Sequence, residues 1–184
     1  MKIISGNLSG RLIKLPKGRA TRPTSARAKE SLFNFLTHGL KFNFDQTQVL
    51  DLFAGSGSLG IETLSRGAKF CSFIDNDTNS VITIKENLKN LNLEKRSFVK
   101  KCDATNINFK FKKPLDLIFS DPPYKNFSKT KIAIEKINRK KLINKKGIIV
   151  IELSSKDSIE MIDGFVVNKK KTIGNTQFCI YSLN

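Results

Sequence analysis

The sequence predicts an α/β fold: a mostly parallel sheet, covered by helices on both faces and closed at one edge by an antiparallel hairpin. Three observations lead there. From Val49 onward, short apolar runs alternate with stretches of helical spacing, the pattern of strand–helix–strand units. The first such run, Val49 to Phe53, passes straight into Gly55-Ser56-Gly57 and then into helical spacing at Leu59, Ile61 and Leu64. The last two strand-like runs, Gly164–Thr172 and Gln177–Leu183, are joined through Ile173-Gly-Asn-Thr, a hairpin signal.

Taken in order, residues 2–15 read as two short strands with a Gly/Asn/Ser link, a hairpin made basic by Lys2, Arg11 and Lys14. Lys17, Arg19 and Arg22 continue the charge through an irregular link. Thr24 or Ser25 can cap a helix carrying Ala28, Leu32, Phe33, Phe35 and Leu36, ending near Thr37–Gly39. After the glycine turn, Phe70–Ile74 is the second strand of the sheet, followed by a helix from about Asp77 to Leu91. Ser97–Lys101 and Leu115–Ser120 are the third and fourth strands. A helix from about Lys129 to Leu142 leads to a fifth, Gly147–Leu153. A single domain over 1–184 accommodates all of this, with 1–40 a basic N-terminal extension and 41–184 the core.

Composition narrows the function. An apolar fraction of 39% and a charged fraction of 27% describe a soluble globular chain, and no apolar run approaches a membrane span. The N-terminus lacks the apolar core of a signal peptide, so a cytoplasmic location is expected. Cys71, Cys102 and Cys179 have neither framework spacing nor a C-x-x-C, and His38 is the sole histidine, so reduced thiols and no metal site are expected. Lys+Arg 33 against Asp+Glu 16 gives +17, the electrostatic footprint of a protein that meets phosphate backbones. Richness in Lys, Asn, Ile and Phe also fits an AT-rich genome, so charge alone does not decide.

Gly55-Ser-Gly57-Ser-Leu-Gly60 matches G-x-G-x-x-G between a strand and a helix, where backbone N–H groups gather at a helix N-terminus and bare backbone lets a ligand approach. That pattern suits nicotinamide dinucleotides and S-adenosylmethionine equally. Asp75 closes the second strand, placed to accept hydrogen bonds from ribose hydroxyls; Asp77 reads as the cap of the next helix. Asp51, Asp75, Asp103 and Asp121 each fall in or just after one of four successive strands, where ligands of open α/β sheets sit. One cofactor with hydroxyl, amino and cationic groups explains four acids in series. The sulfonium of S-adenosylmethionine is such a cation.

Ser120-Asp-Pro-Pro-Tyr124 separates the cofactors. Two consecutive prolines make a stiff loop at the strand's mouth that cannot wind into helix. The Pro122 carbonyl and Asp121 offer two acceptors and Tyr124 a flat face. Together they suit a planar base with an exocyclic amino group, its ring stacked on Tyr124 for about 1–3 kcal/mol. Holding both hydrogens favours a pyramidal nitrogen whose lone pair points at a methyl donor, and positioning supplies most of the acceleration. A dehydrogenase has no use for this loop.

With these motifs in place, the chain resembles the bacterial 16S ribosomal RNA guanine-N2 methyltransferases that modify guanine 966. The distinctive part is IISGxxxGRxIxxPKG…TRPTxxRxxESLFN, from Ile3 to Asn34, followed by VLDLFAGSGSLGIETLSRGA and SDPPY. The resemblance implies the Rossmann-like, seven-stranded sheet of class I methyltransferases with a C-terminal antiparallel hairpin, and a short N-terminal hairpin-plus-helix extension. It implies S-adenosylmethionine held by Asp51, Gly55, Gly57 and Asp75, with Asp103 near the adenine and Asp121 catalytic beside Pro122 and Tyr124. Phe53, Ser56, Asn76 and Ala104 complete the candidate cofactor set, to which Asp121 also belongs. Asp75 stands where glutamate is expected, and Ala26 and Lys29 where Asp and Arg are expected.

The implied substrate is ribosomal RNA of the small subunit, met by a monomer. The target base must be splayed out of its stack, at a cost of about a few kcal/mol. Arg11, Lys14, Arg22 and Lys125 are the candidate RNA-binding cations, with Lys129 and Lys169–Lys171 behind them. Two other functions stay open on sequence grounds: an N6-adenine DNA methyltransferase, which shares DPPY but normally carries extra sequence to read DNA, and a non-catalytic RNA-binding assembly factor on the same fold.

Overall fold

The computed structural model describes residues 1–17, 25–107, 109, 111–122 and 127–184. Its strands are β1 (Gln48–Leu52), β2 (Phe70–Asp75), β3 (Ser97–Lys101), β4 (Leu115–Ser120), β5 (Ile143–Ser154), β6 (Phe165–Ile173) and β7 (Thr176–Leu183). Its α-helices are α1 (Ala26–Asn34), α2 (Ser58–Ser65), α3 (Thr78–Asn90) and α4 (Phe127–Arg139). One seven-stranded sheet has the order β3-β2-β1-β4-β5-β7-β6, parallel except where β7 pairs antiparallel with β5 and β6. The parallel sheet with its closing hairpin is the architecture anticipated from sequence.

The central strands bury both faces, as parallel sheets do, while the edge strands β3 and β6 are largely exposed. On one face α1, α2, α3 and the N-terminal arm pack Phe33, Leu36, Ile61 and Ile84 against Phe73, Phe119, Phe178 and Ile180. On the other, α4 packs Ile134 and Ile137 against Leu52, Ile118, Ile149 and Tyr181. The arm is the expected hairpin: Lys2 bridges Leu12, and the N–H of Ile3 donates to the Arg11 carbonyl at 2.9 Å.

Element limits moved for identifiable reasons. Ser25 caps α1, its hydroxyl accepting from the Ala28 N–H at 3.1 Å, and the helix continues into a π-helical turn at Phe35–Gly39. α4 begins at Phe127, whose ring is buried, and stops at Arg139, before Lys141 turns left-handed at φ 53°. β5 begins four residues before Gly147 because the chain bulges there: Leu115 pairs with Ile143, but Leu117 pairs with Ile148. A Cβ on Gly147 would lie 2.9 Å from the Leu115 carbonyl oxygen, so only glycine closes that bulge.

Candidate active site

β1, β2 and β4 run side by side, Leu52 pairing with Ile74 on one flank and with Ser120 on the other. Their carboxyl ends form one rim carrying residues 51–57, 75–77 and 121–122. β3 extends it, since Asp75 pairs with Lys101, so the turn with Asp103 and Ala104 follows alongside. The topology thus brings together the four acids that sequence placed in series. Asn76 is exposed on this rim, Phe53 is half-buried and Ala104 is buried.

The glycine loop is braced by its own chain. Asp75 accepts from the Gly55 N–H at 2.8 Å with one oxygen and from the Asp77 N–H at 2.9 Å with the other. Asp51, only 2% exposed, lies beneath the loop and accepts from the Gly60 N–H at 2.9 Å. The Gly57 N–H donates to the Ala54 carbonyl at 2.7 Å, and the Asn87 side-chain amide donates to the Ser56 carbonyl at 3.1 Å. The N–H groups of Gly55, Gly57 and Gly60 are therefore engaged internally, a correction to the expectation that the loop's amides await a ligand. Phe53 (φ 57°), Gly55 (φ 57°) and Gly57 (φ 77°) are all left-handed. At Phe53 this is strain of about 1–3 kcal/mol, tolerated where the chain must turn sharply at a site. Gly60 is needed for packing: a Cβ there would strike the Phe73 ring and lie 2.6 Å from Cys71 Sγ.

Electrostatically the rim opposes the rest of a +17 chain. Burial pushes the Asp51 carboxyl well above the usual range; the Gly60 hydrogen bond opposes this, and the charges of Asp121 and Asp75 add to it. Asp103 is held below the usual range by hydrogen bonds from the Thr105 hydroxyl at 2.6 Å and N–H at 2.8 Å, with Lys129 at 3.4 Å assisting. A cationic ligand would relieve the repulsion around Asp51. Carboxylates crowded around a glycine turn, with Gly55 partly exposed on it, fit S-adenosylmethionine, which carries a sulfonium, an ammonium and ribose hydroxyls.

Asp121 and Pro122 are half-buried at the mouth of β4. Tyr124 and Lys125 lie outside the described residues, as does Arg22. The flanks of the 121–126 segment are fixed: the buried hydroxyls of Ser120 and Thr130 bond at 2.8 Å, tying the end of β4 to the first turn of α4. Of the candidate RNA cations, Arg11 donates to the Asn90 carbonyl at 3.0 Å, and Lys14 pairs with Glu86 at 2.9 Å. Both are exposed but occupied by α3.

Sequence reasoning missed two polar residues that hold the arm to the core. Glu62 on α2 is 0% exposed; it accepts from the N–H groups of Ile4 at 2.9 Å and Ser5 at 3.0 Å, and pairs with Lys29 at 3.3 Å and Arg66 at 3.0 Å. Lys29, also 0% exposed, therefore makes a definite contact although it departs from the expected Arg. Asn87 takes the Lys14 N–H at 2.8 Å and donates to the Lys14 carbonyl at 3.0 Å. The available signal was placement: Asn87 shares the apolar stripe of Val81, Ile84 and Leu88, and Glu62 interrupts the apolar helix around Ile61 and Leu64.

The family model described as "Conserved hypothetical protein 95" matches residues 1–182. The "Ribosomal RNA small subunit methyltransferase D" of Buchnera aphidicola is 36% identical over 179 residues, covering 97% of this chain and 91% of the relative. The chain belongs to this methyltransferase family. It is the family to which the Ile3–Asn34 motif pointed, and that motif is structural as well as diagnostic, since Ile4, Ser5 and Lys29 converge on Glu62. The solved structure of Escherichia coli YhhF is similar over 100% of this chain and 98% of its own, at 26% identity and a TM-score of 0.84. A ribosomal protein L11 methylase from Lactobacillus delbrueckii, 16% identical with a TM-score of 0.68 over 96% of this chain and 87% of its own, shares the fold. The seven-stranded sheet is thus that of class I methyltransferases.

Proposed function

We propose that this chain methylates the exocyclic N2 amino group of a guanine in 16S ribosomal RNA of the small ribosomal subunit, using S-adenosylmethionine, as a cytoplasmic monomer. Family membership supports ribosomal RNA methylation. The observation that carries the finer reading is the position of Asp121 and Pro122, on the rim shared with Asp51 and Asp75 and at the head of a proline-stiffened loop.

Asp75, Gly55 and Gly57 would hold the cofactor, with Phe53, Ser56 and Asn76 around them and Asp103 and Ala104 at the β3 end; Asp51 supports them from below. When bound, S-adenosylmethionine supplies an activated methyl group. Asp121 accepts one amino hydrogen of the guanine and the Pro122 carbonyl the other, so that the nitrogen lone pair is aimed rather than delocalised. Once transfer leaves the nitrogen cationic, the Asp121 carboxylate takes its proton. Tyr124 stacks on the base, excluding water from its face. The Ser120–Thr130 bond keeps Asp121 from drifting, which matters where misplacement by about 1 Å can lower the rate about 100-fold.

The test is tritiated methyl transfer to small subunits from an unmethylated strain, compared with free RNA and DNA and followed by nucleoside analysis. N2-methylguanosine from subunits or 16S RNA is expected, lost in Asp121→Ala with cofactor binding retained. Label in N6-methyladenine of DNA would overturn the substrate, and equal turnover by Asp121→Ala would overturn the mechanism.

A further inference from the structure

We propose that the groove between α1 and β6 seats the sugar–phosphate backbone of the substrate RNA flanking the target nucleotide. This rests on the ribosomal RNA reading above and locates where the RNA lies. The groove, about 330 Å³, is lined by Arg27, Glu30, Ser31, Asn34 and Phe35 of the α1 segment and by Lys171 of β6.

Strand register places it beside the active site. Ser120 pairs with Ile151, Ile151 with Cys179, and Cys179 with Lys170, so Lys170 is level with the end of β4 and Lys171 with Asp121. Three strand spacings, about 14 Å, separate the two along the rim. A strand of RNA whose base enters at Asp121 passes this groove.

A bulge selects which lysines face it. β6 pairs Val167 with Tyr181 but Lys169 with Ile180, so Asn168 is the extra residue. Beyond the bulge, Lys169 and Lys171 pair with Ile180 and Phe178, whose side chains lie on the α1 face of the sheet. Lys170 pairs with Cys179, which belongs to the opposite face. Without the extra residue the phase would invert, and Lys170 alone of the three would face α1. Bulges re-aim side chains in this way. Lysines along an edge strand also discourage strand pairing between molecules, but that role is indifferent to which face they take.

The rest of the lining suits ribose and phosphate together. Arg27 and Lys171 flank the groove as cations, while Glu30, Ser31 and Asn34 provide acceptors for 2′-hydroxyl groups, which RNA alone presents. Arg27, Glu30 and Asn34 are exposed and Ser31 is half-buried, the four spaced along one helix face.

The experiment compares Lys171→Gln with Lys170→Gln, one charge removed from either face of the same strand, in methyl transfer to unmethylated small subunits at several salt concentrations. Lys171→Gln is expected to raise KM about fivefold at unchanged kcat, cofactor affinity and Tm, and to flatten the log–log salt slope by about 0.7; adding Arg27→Gln should deepen both effects. Lys170→Gln should leave KM as in the wild type, and Lys171→Arg should restore it. Equal KM values for the two lysine variants would overturn the groove. So would a raised KM with an undiminished salt slope, which would assign the surface to a ribosomal protein. Absence of transfer by the wild type would instead overturn the ribosomal RNA reading, and the groove with it.

Discussion

The side chain of Asn87 joins the N-terminal arm to the cofactor loop: its amide donates both to the Lys14 carbonyl at 3.0 Å and to the Ser56 carbonyl at 3.1 Å, while its oxygen accepts from the Lys14 N–H. One buried residue of α3 thus positions two segments that both precede it in sequence and lie about 40 residues apart. Asn87→Leu would orphan three backbone groups. The expected loss is about 3 kcal/mol in urea unfolding, at about 1–3 kcal/mol for a buried unsatisfied group. Cofactor affinity, measured by titration calorimetry, should fall with it. Lys14→Ala, which keeps the backbone contacts, should change neither.

The Glu62 cluster predicts an asymmetry. Glu62→Ala strands Lys29 in the core and leaves the Ile4 and Ser5 N–H groups without their acceptor, so a loss of about 3–5 kcal/mol is expected by chemical denaturation. Lys29→Met removes a cation whose pKa burial already lowers, and Glu62 keeps Arg66 and both N–H groups. That variant should lose less than about 1.5 kcal/mol, within the range of volume-conserving core changes.

Gly57→Ala and Gly60→Ala should fail differently. At Gly57 the left-handed φ of 77° strains any L side chain, by about 1–2 kcal/mol, while the added methyl meets Phe73, Ile61 and Ile84 at 3.3–3.4 Å, close to ordinary contact. The loss there is mainly backbone strain in the turn itself, so cofactor affinity and thermal stability should fall together. At Gly60 the methyl enters the Phe73 ring and Cys71, overpacking worth about 1–3 kcal/mol. Melting temperature should fall first there.

Asp51 gives the pH dependence. Its carboxyl pKa is raised by folding, so between the unfolded value, about 3.9, and the folded one the native state holds the extra proton. Its contribution to stability is complete below the unfolded value and is lost as pH rises through the folded one. Asp51→Asn keeps an oxygen for the Gly60 N–H and abolishes that slope. The variant should melt above the wild type at pH 7 and with it near pH 4, while binding cofactor more weakly.

Much of this was legible in the sequence because the signals are local. Strand periods, the glycine turn and the Ser25 and Asp77 caps each depend on a few consecutive residues, and the topology follows from their order. Asp77 caps α3 as expected, accepting from the Ser80 N–H at 2.7 Å. What stayed hidden was pairing at a distance. Nothing local tells Lys29 that its carboxylate stands at 62, or that the Gly60 N–H claims Asp51. Nor does the run Lys169–Lys171 announce a bulge, since the register of β6 is set by β7.

The arm described above has a consequence for synthesis. The N–H groups of Ile4 and Ser5 meet their acceptor at Glu62, and that of Lys14 at Asn87. The first part of the chain to be made must therefore wait until nearly half the polypeptide has been translated, with Ile3 and Ile13 still uncovered. Contacts so distant in sequence close late and set a slow step. In a nascent chain, the stretch that best identifies the family cannot settle before Glu62 and Asn87 have been made.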